Sequence, residues 1–517
     1  MSHDLPPYDL GMTADDAAAR FDALQRKLVP LWTSIKAMSD DAQTIVVVPS
    51  LSVDVALRPS EIQAYEERFL FLLLLLRQPR ARLIYVTSQP VHPDVVDYYL
   101  GLLPGIIASH ARRRLKLVTP MDGSSRPLSL KLLERPHLIA HLRGLIPDLD
   151  RCHLVPFNTT LIERDLALAL GIPMYGADPR HFVHGTKSGG RKVFADAGVP
   201  HPLGIEDLAG EADVVAAIAD MRARRPAMRQ VIVKLNEGVS GEGNAVVDLD
   251  GLPPAGTPDA RAAVAERVRA MRFESPAVAY PAFMAKLTAN GGIAEERIVG
   301  DDLRSPSTQL RVTPLGTVER LSTHDQLLGG ESGQSYLGCR FPADPGYAAD
   351  IMRLGARVGD VLAADGVLGR FAVDFVVVRR PDGGWDAYAI EINLRKGGTT
   401  HPFLTLQFLT DGTYDADAGA FTTQRGTRKC FVASDHVESP LYRAFTPDDV
   451  FDIAVRHGIH YDHARQSGVV FHMLCAMGDC GRLGMTAVGD SPADADAIFA
   501  RAEALLASEA RSALARA

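Results

Sequence analysis

The sequence predicts an α/β half joined to an α+β half, and three observations carry that reading. From Thr44 to about Tyr175, apolar strand-like runs alternate with helical segments, the pattern of an open parallel sheet, Rossmann-like in outline. From about His181 the pattern becomes α+β, and its clearest element is a hairpin. Residues 370–378 (RFAVDFVVV) and 385–395 (WDAYAIEINLR) flank Pro381-Asp382-Gly383-Gly384. There Pro fixes φ and the glycines accept φ > 0. After about residue 425, a strand candidate at 469–477 and an alanine-rich helix from about Pro492 form a smaller α+β region.

At 517 residues the chain has room for about three domains of roughly 150 residues each. The predicted divisions are a helical extension (1–40), the Rossmann-like unit (41–180), a central α+β unit (181–425) and a small C-terminal domain (426–517). Hydrophobic content of 46% and charged content of 23% describe an ordinary globular protein. A net charge of −8, a pI near 6.1 and the lack of a long basic run argue against nucleic acid as a partner. Five scattered cysteines suit reduced thiols better than a disulfide framework. The N-terminus lacks the basic and apolar regions of a secretory signal. The apolar run 69–76 (FLFLLLLL) is far short of the ~20 residues a membrane span needs. It reads as a buried helix, and a cytoplasmic protein without a membrane partner is expected.

In chain order, the first strand starts at Thr44, a long helix covers 61–76 and a second strand covers 81–88. Pro49-Ser50-Leu51-Ser52 stands where a dinucleotide-binding Gly-x-Gly-x-x-Gly would follow the first strand. A nucleotide is therefore expected between 181–300 and 301–425. Residues 187–197 form a short helix stopped by Gly198-Val199-Pro200. Residues 230–235 (QVIVKL) are a strand, 251–258 a loop, and strands follow near 278–285, 308–313 and 317–323. A helix at about 347–364 leads into the hairpin.

In the simplest hairpin register Pro381 faces Gly384 and Asp374 faces Glu391, with Asn393 on the same face two residues on. A bulge would shift that register. Like charges paired across strands destabilise a sheet unless something positive lies between them. Two carboxylates and an amide oxygen are hard donors suited to Mg²⁺ shared with phosphates. Replacing Glu391 by Gln should then leave metal-free stability equal or higher. A solvated acidic face is the alternative, and Arg395 and Lys396 just beyond argue for a phosphate. Lys234 ends its strand directly before Asn236-Glu237-Gly238-Val239-Ser240-Gly241-Glu242-Gly243-Asn244. Glycines at 238, 241 and 243 let backbone amides approach oxygens, and the loop is expected to act as a lid. No Gly-Lys-Ser/Thr closes it, so it is not a P-loop. Lys187 is unusual at a helix start, where acids are favoured.

In order, the lysine helix ending Ala-Gly-Val-Pro (Lys187), the strand lysine before a Gly-rich flap (Lys234), the acidic segment 295–298 and the Asp…Glu-x-Asn set resemble the ATP-grasp carboxylate–amine ligases. The likeness covers about 181–425. The strings KLNEGVSGEG, SPSTQLRVTP, STHDQLLGG and EINLRKGGTTHP look like the peptide ligase family of pheganomycin biosynthesis. That family carries a pre-ATP-grasp domain, an ATP-grasp domain and a small C-terminal domain. The resemblance implies ATP and Mg²⁺ as cofactors. It places Lys187, Lys234, Glu237, Gly238, Ser240, Gly241 and Gly243 on the phosphates, and Glu295, Glu296 and Ile298 at the adenine edge. Asp374, Glu391 and Asn393 would hold the metal. It implies an amide bond made through an acyl phosphate, joining a small carboxylate or nonproteinogenic amino acid to an amino-acid or peptide amine. Arg395, Arg311, Lys396 and the amides of Gly397 and Gly398 are candidates for the reacting groups; Arg311 fits an ordinary strand position equally well. His401 reads as a substrate-loop residue. A carboxylate kinase, or a protein that holds ATP without turnover, is the alternative, and a homodimer stays open.

Overall fold

The computed structural model describes residues 7–36, 42–52, 57–238, 243–274, 278–329 and 335–516. Three principal sheets are built from them. Strands Thr44–Val48, Arg82–Val86, Leu115–Val118 and Cys152–Pro156 form a four-stranded parallel sheet. Its first strand is buried along its whole length, as expected where helices cover both faces. Beyond that strand, the Ser52 amide donates to Asn158 Oδ1 at 3.1 Å and Ser52 Oγ to Glu163 Oε1 at 2.6 Å. A side-chain network thus fills the place where a glycine loop would cradle a pyrophosphate.

The predicted helix over 61–76 changes character halfway. Pro59–Arg68 is α-helical, and Phe69–Arg77 is a 3₁₀ helix. All of the apolar run but Leu75 is buried, in one core with Phe403, Leu406, Phe431 and Phe471. Burial was legible in its composition; the tighter winding was not.

A second sheet, antiparallel, runs Gly204–Leu208, Gly292–Glu296, Gln230–Leu235, Asn244–Asp248, Arg272–Phe273. The strand expected near 278–285 is instead the helix Tyr280–Asn290. Pro281 sits in its first turn, where a missing N–H costs nothing, and Phe283 and Leu287, four apart, are its buried stripe.

The third sheet follows the order Leu303–Arg304, Gly369–Arg379, Pro306–Val312, Val318–Gly329, Ser335–Phe341, Cys430–Glu438, Arg482–Gly489, Gly468–His472, with Trp385–Asn393 paired to Gly369–Arg379. The C-terminal strands therefore extend the same sheet that carries the hairpin. The strand expected over 469–477 stops at His472, where Met473 takes a left-handed φ of 58° and starts a 3₁₀ turn. Pro492–Arg516 is one long helix. All five cysteines are unpaired. No helix among the described residues is long and apolar enough to cross a membrane.

The N-terminal and C-terminal regions touch at Glu67, 2% exposed, whose carboxylate accepts from the Leu474 amide at 2.6 Å. Burial pushes its carboxyl up to about 7. The folded state then holds a proton that the unfolded state has lost, so this group lowers stability as pH rises from about 4.5 to about 7. Glu67→Gln should raise stability by about 1–3 kcal/mol at pH 8 and have little effect below pH ~4.5. Thermal melts of both proteins across pH 4–9 check the convergence.

Candidate active site

The hairpin places Asp374 opposite Glu391 by a route that constant register would miss. Near the turn Arg379 pairs with Trp385, one residue off the simplest register. A bulge at Ile390 then resets the ladder, so that Asp374 faces Glu391 and Ala372 faces Asn393. Asn393 Nδ2 and Gln326 Nε2 both donate to Asp374, each at 2.9 Å.

The lysines arrive from the second sheet and its neighbouring helix. Lys187 opens the helix Lys187–Asp196, capped by Thr186 Oγ1, which accepts from the Gly189 amide at 3.0 Å. The Ser188 amide donates to Asn236 Oδ1 at 2.9 Å, tying this helix start to the residue after the lysine strand. Gly189 is required there, since a Cβ would lie 1.9 Å from the Val183 carbonyl oxygen. Gly189→Ala should displace Lys187 and lower kcat/KM for ATP by roughly tenfold or more, a loss steady-state kinetics would measure.

Lys187 Nζ lies 2.5 Å from Glu391 Oε1, and Lys234 Nζ lies 2.5 Å from Glu295 Oε1. Both lysines are at most 9% exposed, so neither is a solvated surface residue. Arg191, one helical turn after Lys187, reaches Glu295 at 3.1 Å and Glu206 at 2.5 Å. Sequence reasoning missed Arg191 and Gln326; the i, i+4 spacing from Lys187 was the available signal for the arginine.

The two carboxylates of the hairpin are electrostatically unequal. Burial and then Glu391 push Asp374 up to about 7. Glu391 feels the same burial, but Lys187, Arg395 and Lys234 together hold it below the ordinary range. Asp374 has no ion-pair partner among the described residues. A carboxylate without an ion-pair contact, beside a second carboxylate and an amide, fits a small divalent cation. Asp374, Glu391 and Asn393 would be its protein ligands, and the cation would lower the charge on phosphate oxygens.

The other predicted residues divide. Arg395 stays near this cluster, its guanidinium 6.0 Å from the Phe157 ring centre and without an ion-pair partner among the described residues. Burial lowers its pKa, with Glu391 and Asp374 opposing. Glu295 and Glu296 lie at the end of the strand Gly292–Glu296, and Glu296 pairs with Arg225. The Arg297 amide donates to the Gln230 carbonyl, which runs Ile298 past the start of the lysine strand. Glu237, Gly238 and Gly243 stand at the ends of the flap, with the Leu235 amide donating to the Gly243 carbonyl at 2.9 Å. Ser240 and Gly241, and with them the expected lid, lie outside the described residues.

Arg311, His401, Gly397 and Lys396 are held by other partners. Arg311 lies four residues along its strand from Ser307, the partner of Asp374. Its Nε donates to Glu319 at 2.8 Å and its guanidinium stacks 4.6 Å over Trp32, so it is held away from the hairpin carboxylates. His401 is not in a loop. It lies in the helix Thr400–Thr410, 4% exposed, with Nε2 3.1 Å from His472 Nε2 and 3.5 Å from Asp435. The Gly397 amide is occupied by Thr400 Oγ1 at 3.0 Å. Lys396 is also buried, and its Nζ donates to the Pro156 carbonyl at 2.7 Å.

Two buried lysines facing carboxylates stand beside the hairpin acids, an arrangement that would suit nucleotide phosphates and a cation. The IQCH-like ATP-grasp family matches residues 181–263 and 257–417, and the PGM1 C-terminal domain matches 449–502. L-propargylglycine–L-glutamate ligase of Streptantibioticus cattleyicolor is 32% identical over 449 residues, covering 85% of this chain and 89% of that protein. IQ motif-containing protein H of Danio rerio is 25% identical over 501 residues, and there the match spans 85% of this chain but 46% of the relative. Among solved structures, the ADP complex of purK, an N5-carboxyaminoimidazole ribonucleotide synthetase, superposes with a TM-score of 0.51 at 12% identity, covering 91% of this chain and 98% of that one. A biotin carboxylase complex from Campylobacter jejuni gives 0.50 at 15%, covering 88% and 89%. The chain belongs to the ATP-grasp superfamily of carboxylate–amine ligases, in its pheganomycin-type peptide ligase branch. It is an ATP- and Mg²⁺-dependent ligase that forms carbon–nitrogen bonds.

Proposed function

We propose that this enzyme joins the carboxylate of one amino acid, or of a similarly small acid, to the amine of a second amino acid or peptide. The observation that supports it most is the convergence of Lys187 and the Asp374–Glu391–Asn393 hairpin, with Lys234 acting on the same Glu391. Similarity to a ligase whose name pairs two amino acids supports substrates of that class. Lys187 and Lys234 would exchange their carboxylate partners for phosphate oxygens of ATP, and Arg395 would orient the reacting carboxylate. A carboxylate oxygen of the donor attacks the γ-phosphorus and ADP leaves, giving an acyl phosphate. The amine nitrogen then attacks the acyl carbon, phosphate leaves with the bonding pair, and the nitrogen loses a proton.

The test is ADP release and product mass over a panel of acid–amine pairs with Mg²⁺-ATP. ADP formed only when both partners are present, with a product equal to their sum less water, is the expected result. A hydroxamate trapped by hydroxylamine from the acid alone, with no amide from any amine, would make the protein a carboxylate kinase. ATP binding without turnover on any pair would make it a regulatory protein.

A further inference from the structure

A second group of cations, Arg370, Lys396 and Arg311, lies at the far end of the hairpin, and only Arg311 has an ion-pair partner among the described residues, Glu319. Arg370, four residues before Asp374 and on the same face, has no ion-pair partner among the described residues, and its Nη1 is buried without a hydrogen-bond partner. Lys396 carries three N–H donors, yet among the described residues its Nζ meets only the Pro156 carbonyl. Arg311 pairs with Arg370 across the strands, but its own charge is taken by Glu319.

Neutral groups gather at the same place. His153 Nδ1 and Thr159 Oγ1 are buried without hydrogen-bond partners, and the buried Tyr175 hydroxyl lies beside both Arg311 and Arg370. The His153 and Tyr175 rings meet edge to face at 6.2 Å. A Cβ on Gly369 would lie 2.9 Å from Gly176 Cα, which sets Arg370 beside Tyr175. The Pro156 carbonyl sets Lys396 at the end of the strand that carries His153. Burial, and the nearness of Arg370, hold Lys396 down to about 7, while burial and Arg311 hold Arg370 down to about 9. Uncompensated buried cations beside unpaired hydrogen-bonding groups are unstable unless an anion joins them.

We propose that Arg370, Lys396 and Tyr175 form a subsite for a substrate carboxylate that is not consumed in the reaction. This rests on the ligase reading above. ATP phosphates are a poor candidate for this place, because Arg370 lies about 13 Å along the strand from Asp374, counted between backbones. A planar guanidinium with an ammonium and a phenol suits a carboxylate. The anion is the α-carboxylate or second carboxylate of either partner, and the enzyme is thereby selective for acids over their amides.

The experiment compares amino-acid substrates as free acids and as the corresponding amides, varying donor and acceptor separately. In Arg370→Gln the acid-over-amide ratio of kcat/KM should fall roughly tenfold or more for the partner whose carboxylate is bound, and Arg370→Lys should keep most of it. A fall confined to donors, or to acceptors, assigns the subsite to that partner. A ratio unchanged for both partners in Arg370→Gln and in Lys396→Met overturns the proposal. Should the variants not fold, melts of the wild-type protein decide: the free acid raises Tm and its amide does not, whereas equal shifts or none overturn the subsite. Wild-type protein that ligates no pair sinks the ligase reading separately, because the melts still report the subsite.

Discussion

Asp374→Asn and Glu391→Gln are expected to lower ligation alike, by roughly 10²-fold or more, while moving the stability of the nucleotide-free protein in opposite directions. The common effect follows because each variant removes a charged oxygen donor from the cation site. The opposite effects follow from Lys187. Asp374 is raised to about 7, so the folded protein holds a proton there that the unfolded chain gives up, and this group costs stability as pH rises from about 4 to about 7. Asp374→Asn removes that cost. Glu391 is lowered by its lysine, so its contribution is present above its unfolded pKa and is lost as pH falls. Glu391→Gln removes the contribution and leaves Lys187 buried without a counter-charge. Melts at pH 8 should therefore separate the two by about 1–3 kcal/mol in each direction from wild type. Mg²⁺-ATP should raise Tm in wild type and in neither variant. Near-wild-type ligation in either variant would end the metal assignment. The sequence-based expectation that Glu391→Gln leaves stability equal or higher is redirected here: the repulsion is real, but it falls on Asp374.

How far the sequence reached depends on the range of the interactions involved. The parallel sheet, the lysine helix, the strand before the flap and the acid pair were legible because each is set by local periodicity, turn chemistry or two-residue alternation. The Ile390 bulge was not, although the pair survived it, since nothing in WDAYAIEIN marks an unpaired residue. Tyr280–Asn290 was misread as strand because apolar residues spaced for a short helix also pass for a partly buried strand. Arg311 and His401 were misplaced for a different reason. Their residue types suit chemistry, but their partners Glu319, Trp32, Asp435 and His472 come from tertiary contacts. The surroundings of Arg370 and Lys396 are likewise invisible in one dimension, because the strand Cys152–Pro156 and Tyr175 lie some 200 residues away in the chain.

Lys234→Met should abolish turnover and also destabilise the protein, and a second substitution should restore only the stability. Glu295 is 2% exposed and shared between Lys234 and Arg191. Removing the lysine leaves a buried carboxylate with one cation instead of two, a loss of about 2–4 kcal/mol, somewhat less than for a pair broken outright. Adding Glu295→Gln removes the stranded charge, so Lys234→Met/Glu295→Gln should recover much of the wild-type Tm. Turnover should stay down by roughly 10²-fold or more, because the missing ammonium was needed by phosphate oxygens and no neutral side chain replaces it. The competing view makes Lys234 a purely structural ion-pair residue. On that view stability and activity return together in the double variant. Thermal melts and ADP release on the two single variants and the double variant form a complete cycle. Restored activity alongside restored stability would remove Lys234 from the nucleotide site and leave Lys187 alone to meet the phosphates.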